Sequence, residues 1–171
     1  MKSTFSWTNP KLEVKNTGEY KRGVFAKENI RKGEMLSVFG GYVMTIKDER
    51  KLPEDYNDTG VQIHDKFVLG IKKRDELEDA DYFNHSCNPN AGFNGQIFLV
   101  AIRNIKRGEE IAFDYAMAIS RTKASGSYKF KCLCGAKNCR KEITNNDWKI
   151  PSLKRKYKGY FQWYLENKIK K

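Results

Sequence analysis

The four cysteines of this chain limit how its second half can fold. Three of them, Cys132, Cys134 and Cys139, follow a C-x-C-x4-C pattern, and Cys87 lies far upstream. Four thiolates are a ligand set that a structural zinc ion takes in tetrahedral geometry. If all four bind one ion, the late cluster is held against the segment that contains Cys87. In a chain that looks intracellular, four cysteines favour a metal over disulfide bonds. Four reduced cysteines that do not meet, with Cys87 as a small buried apolar residue, are the alternative.

Positive charge is concentrated near the C-terminal end. Residues 121–171 hold 15 Lys and Arg against three Asp and Glu, whereas residues 1–120 hold 18 of each. The net charge of +12 therefore comes wholly from residues 121–171. This asymmetry indicates a polyanionic partner, either nucleic acid or an acidic surface, that binds the tail. A solvated lysine-rich tail without a partner is the alternative.

The length and the N-terminal segment indicate the class of protein. With 171 residues the chain is long enough for one domain with a sizeable core. The segment Met1–Trp7 has no apolar stretch typical of signal peptides, and no part of the chain approaches a membrane span. The sequence therefore predicts an intracellular protein without membrane contact, cytoplasmic or, in a eukaryotic host, nuclear.

Short apolar and β-branched runs, separated by glycine and charged turns, fill the first 120 residues and favour a mostly β structure. The predicted strands are Val24–Ala26, Met35–Phe39, Tyr42–Thr45, Phe67–Ile71, Gln96–Ile102 and Glu110–Phe113. One long helix is predicted after Asn146, because apolar residues up to Ile169 recur at roughly helical spacing and Pro151 can stand at its start. The polar stretch Ser120–Tyr128 is predicted to be a mobile linker.

Two turns of similar sequence, Asn29–Glu34 and Asn104–Glu109, each place a basic pair and a glycine before a strand. The residues that flank the two turns do not match. We therefore interpret the similarity as recurrent turn chemistry and not as an internal duplication.

Three sequence motifs follow one another along the chain. They are Gly-Val-Phe-Ala at Gly23–Ala26, Asn-His-Ser-Cys-Asn-Pro-Asn at Asn84–Asn90, and Gly-Glu-Glu-Ile-Ala-Phe-Asp-Tyr at Gly108–Tyr115. The cysteine cluster follows the third motif. In this order, over residues 11–142, they resemble the SET-domain family of protein-lysine methyltransferases, whose C-terminal cysteine module is called post-SET. In its small size, the chain is most similar to the stand-alone SET proteins of prokaryotes.

The resemblance implies a mostly β SET-domain fold of small curved sheets, with a knot-like segment, Asn84–Cys87, that threads beneath a loop. It implies a SET domain over residues 1–120, a zinc-binding post-SET module over 121–142, and a basic aromatic C-terminal helix or tail over 143–171. It also implies that S-adenosylmethionine and the substrate lysine approach from opposite faces and meet in a narrow channel. The implied reaction is methyl transfer to the side-chain amine of lysine in a protein substrate, such as a histone or another basic chromosomal protein.

The resemblance assigns roles to individual residues. Tyr115 matches the catalytic tyrosine, whose hydroxyl orients the lysine nitrogen and the methyl donor; a core tyrosine at a strand end is the alternative. The implied cofactor-binding residues are Arg22, Gly23, Val24, Asn84, His85 and Tyr115. The implied substrate-channel residues are Phe39, Tyr82 and Phe113. The implied zinc ligands are Cys87, Cys132, Cys134 and Cys139.

Phe113 stands at the position that tunes the product in many family members. A tyrosine there retains a water that blocks further methylation, whereas a phenylalanine leaves room. The resemblance therefore implies di- or trimethylation, and this role is compatible with core packing of Phe113.

Several positions depart from the family pattern. Of the Gly-x-Gly that often precedes the first valine, only Gly23 is kept. Phe39 replaces a channel tyrosine, so one hydroxyl is lost unless Tyr42 or Tyr82 supplies it. Asp81 stands where an arginine commonly precedes the second motif, which changes the charge near the cofactor.

Acidic residues within 48–58 and 75–81 are expected to supply the field at the channel that attracts a basic substrate, since the tail would repel it. Arg140 and Lys141, which follow the cysteine cluster, are expected to be solvated.

Other function classes compete with this interpretation. A basic nucleic-acid-binding zinc protein without catalysis would use the tail, where aromatic residues alternate with lysines and arginines. Helical spacing of those aromatic residues favours core packing instead. A hydrolase that uses Cys87 and His85 is disfavoured, because residues at i and i+2 rarely face one carbonyl and no third orienting residue is evident. A SET fold without turnover is disfavoured by the presence of Tyr115, Asn84 and His85.

Overall fold

The protein is mostly β, as the strand pattern predicts. The computed structural model describes residues 4–16, 22–120 and 128–170. The strands are β1 (Trp7–Thr8), β2 (Leu12–Lys15), β3 (Gly23–Ala26), β4 (Met35–Val38), β5 (Tyr42–Thr45), β6 (Val61–Gln62), β7 (Phe67–Gly70), β8 (Asn84–His85), β9 (Ala91–Asn94), β10 (Phe98–Ala101), β11 (Glu110–Phe113), β12 (Lys129–Lys131) and β13 (Glu142–Thr144). The α-helices are α1 (Ile46–Glu49), α2 (Pro151–Lys156) and α3 (Trp163–Ile169), and 3-10 helices span Arg74–Glu76, Asp79–Tyr82, Tyr115–Met117 and Asp147–Lys149.

All six predicted strands are present, with small shifts at their ends. The predicted linker Ser120–Tyr128 lies, except for its two end residues, outside the described residues. Within the described ranges, no helix has the length and apolar composition needed to cross a bilayer.

Three sheets organise the strands. The large sheet has the order β1-β4-β10-β9-β11-β3-β2, and β8 pairs in parallel with β11. A three-stranded sheet has the order β5-β7-β6, and β12 and β13 form a two-stranded sheet. In the large sheet β11 pairs with β3, β8 and β9, so that all three sequence motifs meet at one strand.

The two similar turns bind each other. Ile30 and Ile105 exchange backbone hydrogen bonds of 2.9 Å in both directions. The side-chain oxygen of Asn29 accepts a hydrogen bond of 2.9 Å from the backbone N–H of Arg107, and Asn104 accepts one of 2.9 Å from the other turn. The repeated turn chemistry therefore builds a local two-fold arrangement in which each asparagine closes the opposite turn.

The prediction of one long C-terminal helix is wrong. The region forms two short helices, because the chain turns at Gly159, whose φ of 83° is left-handed. The first helix, α2, ends before this turn, and α3 starts only at Trp163. Pro151 stands in the first turn of α2, where its missing N–H costs nothing. The apolar residues of this region still join the core of the large sheet: Leu153, Tyr157, Phe161 and Leu165. The helical spacing therefore predicts correctly that these apolar residues are buried, but it wrongly predicts one continuous helix.

Candidate functional site

The parallel pairing of β8 with β11 brings the second and third motifs together. Asn84 lies opposite Ala112, and His85 lies opposite Phe113. Tyr115 follows directly after β11 and Asp114, and its backbone N–H donates a 3.1 Å hydrogen bond to Nδ1 of His85. The segment that bears Asn84 and His85 therefore lies against Tyr115, as the resemblance implies.

The Tyr115 side chain is held from two directions. Its hydroxyl donates to the backbone oxygen of Phe83 at 3.2 Å, and its ring packs edge-on against His85, with 5.2 Å between the ring centroids. Phe113 lies 5.0 Å from the same ring, measured between centroids. The hydroxyl is thus fixed beside the strand that carries Asn84.

The His85 ring is occupied by protein partners. Nδ1 accepts from the backbone of Tyr115, so the proton is on Nε2, which lies 3.3 Å from Sγ of Cys87. Burial lowers the pKa of His85 to about 4, and the opposing effect of Asp114 does not restore it. The ring is therefore neutral, and only the backbone of His85 is left to reach a cofactor.

Asn84 links the first motif to the second. Its side-chain nitrogen donates to the backbone oxygen of Arg22 at 2.9 Å and to Oε1 of Glu110 at 2.7 Å. Gly23 and Val24 follow in β3, both buried. The sequence-predicted cofactor residues therefore form one continuous group beside β11, in which Val24 is part of the core.

A cavity of about 230 Å³ opens beside Tyr115. Its lining residues are Phe39, Asp58, Thr59, Gly60, Val61, Gln62, Ala80, Asp81, Phe83, Phe113, Tyr115, Ala118, Ile119 and Tyr128. Two of the three predicted channel residues, Phe39 and Phe113, are among them. Aromatic rings form much of the wall, an arrangement that suits the apolar stem of a lysine side chain.

Tyr82 does not line this cavity. It lies in a separate groove with Arg22, whose Nη1 donates to the tyrosine hydroxyl at 3.0 Å. Tyr42 does not line the cavity either, because its hydroxyl donates to Glu76 at 3.2 Å. Neither tyrosine replaces the hydroxyl that Phe39 lacks.

The four cysteine sulfurs lie within 4.8 Å of one another. The Sγ atoms of Cys87 and Cys132 are 4.0 Å apart. A tetrahedral zinc with bonds of about 2.3 Å would place its sulfur ligands about 3.8 Å apart, so the donor set fits this ion after small side-chain adjustments. Without a cation, burial raises the pKa of the Cys87 thiol to about 11, and burial raises the pKa of Cys132 as well. A bound metal supplies the charge that keeps such sulfurs deprotonated.

A family model for the SET domain matches residues 21–116. The chain belongs to the SET-domain family. The human protein "Histone-lysine N-methyltransferase 2B" is 34% identical over 131 residues, which are 70% of this chain and 5% of the human protein. "Histone-lysine N-methyltransferase, H3 lysine-36 specific" of Debaryomyces hansenii is 32% identical over 170 residues, 85% of this chain and 22% of the yeast protein. The chain thus spans only a small part of these relatives.

Solved SET proteins share the fold. The "crystal structure of KRYPTONITE in complex with mCHH DNA, H3(1-15) peptide and SAH" matches with a TM-score of 0.58 and 24% identity, over 79% of this chain and 30% of that one. The methyltransferase domain of human SETMAR matches with a TM-score of 0.57 and 20% identity, over 76% and 56% of the two chains.

Arg140 is not solvated, contrary to the expectation from sequence. Its guanidinium donates two hydrogen bonds, of 2.6 and 2.7 Å, to the fully buried carboxylate of Asp114 and one of 2.9 Å to Asp147. Burial opposes the charge of Arg140, but its bonds with Asp114 prevail and raise its pKa. The Tyr157 hydroxyl also donates to Asp114, at 3.1 Å. Lys141 is exposed, as expected.

This ion pair connects the cysteine cluster to the site. Arg140 directly follows Cys139, and its backbone N–H lies 3.4 Å from Sγ of Cys87. Asp114 directly precedes Tyr115. The cluster therefore reaches the strand end of Tyr115 by two routes, through His85 and through Arg140.

The cavity wall includes residues that the motifs do not name. Tyr128 belongs to the stretch predicted to be a linker, and no sequence signal marks it as a wall residue. Asp58 and Asp81 belong to the two acidic stretches that are expected to supply the field at the channel, and both line the cavity.

Proposed function

We propose that this SET domain transfers a methyl group from S-adenosylmethionine to the side-chain amine of lysine in a protein substrate. The observation that supports it most directly is the position of Tyr115. This residue forms a wall of the aromatic cavity and contacts the segment of Asn84 and His85 at the same time. A residue at such a junction can orient two reactants that enter from different sides.

The bound cofactor supplies an electrophilic methyl carbon on a positively charged sulfur. The protein must present a neutral amine to it, yet a free lysine has a pKa of about 10.4. A water-poor aromatic cavity, formed here by Phe39, Phe83 and Phe113, disfavours the charged ammonium form. Alignment of the amine then supplies much of the rate, since near-attack placement contributes about 7–11 kcal/mol.

The cofactor would lie beside Arg22, Gly23 and Asn84, where the first two motifs meet. Tyr115 would orient the lysine nitrogen through its hydroxyl, and its donation to Phe83 fixes the direction of that hydroxyl. Phe113 contributes no hydroxyl of its own to the wall, which favours more than one methyl transfer. A histone or another basic chromosomal protein fits the acidic residues Asp58 and Asp81 at the cavity.

Exchange of Tyr115 for Phe tests the catalytic assignment. We expect incorporation of tritiated methyl into a lysine-containing peptide pool to fall by about 100-fold or more, because one preorganised hydrogen bond at the reacting atoms is lost. The ring contacts that stabilise the fold remain, so the melting temperature should change little. Tyr56→Phe, at a surface tyrosine outside the cavity, is the matched control and should retain full incorporation. Unchanged incorporation by Tyr115→Phe would refute the catalytic role of this residue.

We also propose that the basic C-terminal region binds DNA that carries the substrate protein. Three lysines gather around the Trp148 indole, with Nζ atoms 5.4 to 5.7 Å from its ring: Lys149, Lys154 and Lys168. Arg155 and Lys158 are exposed next to them. Lys168 is paired with Asp65, whereas Lys149, Lys154, Arg155 and Lys158 can meet a row of phosphates.

The salt dependence of DNA binding tests this proposal. A triple variant with Lys154, Arg155 and Lys158 changed to Gln should lower the slope of log Kobs against log salt by up to about 3, since each lost phosphate contact removes about 0.9. Methylation of a free peptide should not change. The control carries three exposed lysines of the β5–β7 region changed to Gln: Lys47, Lys51 and Lys66. Equal slopes for the triple variant and the wild type would contradict the proposal.

A further inference from the structure

The cavity beside Tyr115 is lined by the Asp81 carboxylate in addition to aromatic rings. Asp81 belongs to the 3-10 helix Asp79–Tyr82 and lines the cavity with Phe39 and Phe113. Asp58 lines it as well, but its side chain is exposed. In the described parts of the chain, no lysine or arginine lines this cavity. Within the described residues, the wall therefore combines aromatic rings with carboxylates and contains no basic side chain.

Asp81 is only partly satisfied by the protein. Its Oδ2 accepts one hydrogen bond of 2.8 Å from the backbone N–H of Glu78, and no cation within the described ranges forms an ion pair with it. Burial raises its pKa to about 6; the bond from Glu78 lowers it, and the negative charge of Glu78 raises it further. At neutral pH the side chain is still mostly ionised, so an anion without a cation faces the cavity.

The charged groups around Asp81 do not offset the free-energy cost of its partly buried negative charge. Glu78 and Asp79 on its own element are acidic, and the cavity groups opposite are Asp58 and two tyrosines, Tyr115 and Tyr128. Lys15 and Arg22 are basic residues of the neighbouring elements, and both line the separate groove that contains Tyr82.

We propose that Asp81 binds the ammonium group of the incoming substrate lysine and so determines the affinity of this channel for lysine. The inference rests on the proposed methyl transfer. A lysine side chain would bring the missing cation to Asp81, while its methylene stem would pack on the aromatic rings, whose faces also attract ammonium ions. A partly buried charge is costly without a partner, and the substrate supplies that partner.

Asp81→Asn separates recognition from catalysis. The amide oxygen can keep the hydrogen bond from Glu78, but the charge is lost. We expect the KM for a random peptide pool with one fixed lysine to rise at least tenfold at pH 8, the effect of one lost charge-assisted hydrogen bond, while kcat does not fall, because Asp81 stabilises the ammonium form that binds and not the neutral amine that reacts. Asp81→Glu should keep KM within about threefold of the wild type. The control Glu28→Gln removes one charge from an exposed carboxylate outside the cavity and both acidic stretches and should leave KM unchanged.

The melting temperature gives a readout that is independent of turnover. Because burial raises the pKa of Asp81, its ionisation weakens the fold, and this loss grows as pH rises from about 4 to about 6. Asp81→Asn should therefore melt at a higher temperature than the wild type above pH 6 and at the same temperature near pH 4. A structural role for Asp81 would give the opposite sign.

The outcomes distinguish this inference from the proposed function. Methyl transfer by the wild type with an unchanged KM for Asp81→Asn would overturn the inference alone. A lower melting temperature for Asp81→Asn at pH 8 would also overturn it. No methyl transfer to any lysine peptide by the wild type would overturn the proposed function and, with it, the role of Asp81 in recognition.

Discussion

Cys132→Ser is expected to lose the metal, the order of the C-terminal segment and methyl transfer together. Structural zinc contributes about 10–16 kcal/mol to the folding of zinc-finger peptides. This chain has a separate hydrophobic core, so only part of that energy should appear as global stability. Even a loss of about 5 kcal/mol would lower the melting temperature by about 10–20 °C in a domain of this size. Methyl transfer should be lost even at temperatures at which the variant is still folded. The reason is that Cys87 contacts His85, which in turn holds the backbone of Tyr115.

Zinc content and thermal unfolding measure this effect. The wild type should carry about one zinc per chain and melt at a lower temperature after treatment with a strong chelator. Leu133→Ala is the matched control, since Leu133 lies between two ligands and is 44% exposed. It should retain both zinc and stability. A metal-free wild type that chelator does not destabilise would show that the four cysteines are structural thiols.

The sequence motifs predict the site better than they predict its surroundings. The proximity of the Asn84 segment to Tyr115 was expected from the resemblance, whereas the parallel pairing of β8 with β11 that produces it was not. The convergence of Cys87 with the late cysteines was expected for a chemical reason, since tetrahedral zinc requires four ligands. In both cases a particular chemistry demands proximity, so residue type and order carry the information.

At the positions where the sequence-based predictions are wrong, no such chemical requirement links the residues concerned. Arg140 precedes a solvated lysine and carries no periodic signal, so nothing in the local sequence shows that Asp114 and Asp147 surround it. Apolar spacing continued through Gly159, although the chain turns there and resumes with the same faces buried. Tyr82 has the residue type of a channel wall, but the orientation of a short 3-10 helix directs it to another groove. Long-range packing decides the cases of Arg140 and Tyr82, whereas the left-handed backbone at Gly159 decides the break between α2 and α3.

Arg140→Met is expected to lower the free energy of unfolding by about 3–5 kcal/mol. The methionine can fill much of the space of the arginine stem, but it leaves the buried Asp114 carboxylate without its cation. Removal of one partner of a buried ion pair typically costs this amount, even where replacement of both partners is nearly neutral. Asp114 still accepts hydrogen bonds from Ala116 and Tyr157, which sets the loss below that of a fully unpaired charge. Urea denaturation should show a lower midpoint with an unchanged slope, and Arg155→Met, at an exposed arginine, should change neither.

The double variant Asp114→Asn, Arg140→Met tests whether the effect comes from the charge pair. If it does, the double variant should be more stable than the sum of the two single losses predicts, with a coupling energy of about 2–3 kcal/mol. The activity should separate the two functions of the pair: the double variant recovers stability, but it lacks the bidentate contact that fixes the backbone before Tyr115. We therefore expect kcat to stay low in a protein that is folded at the assay temperature. Additive losses would contradict the coupling, and full recovery of kcat would show that the pair stabilises the fold without positioning Tyr115.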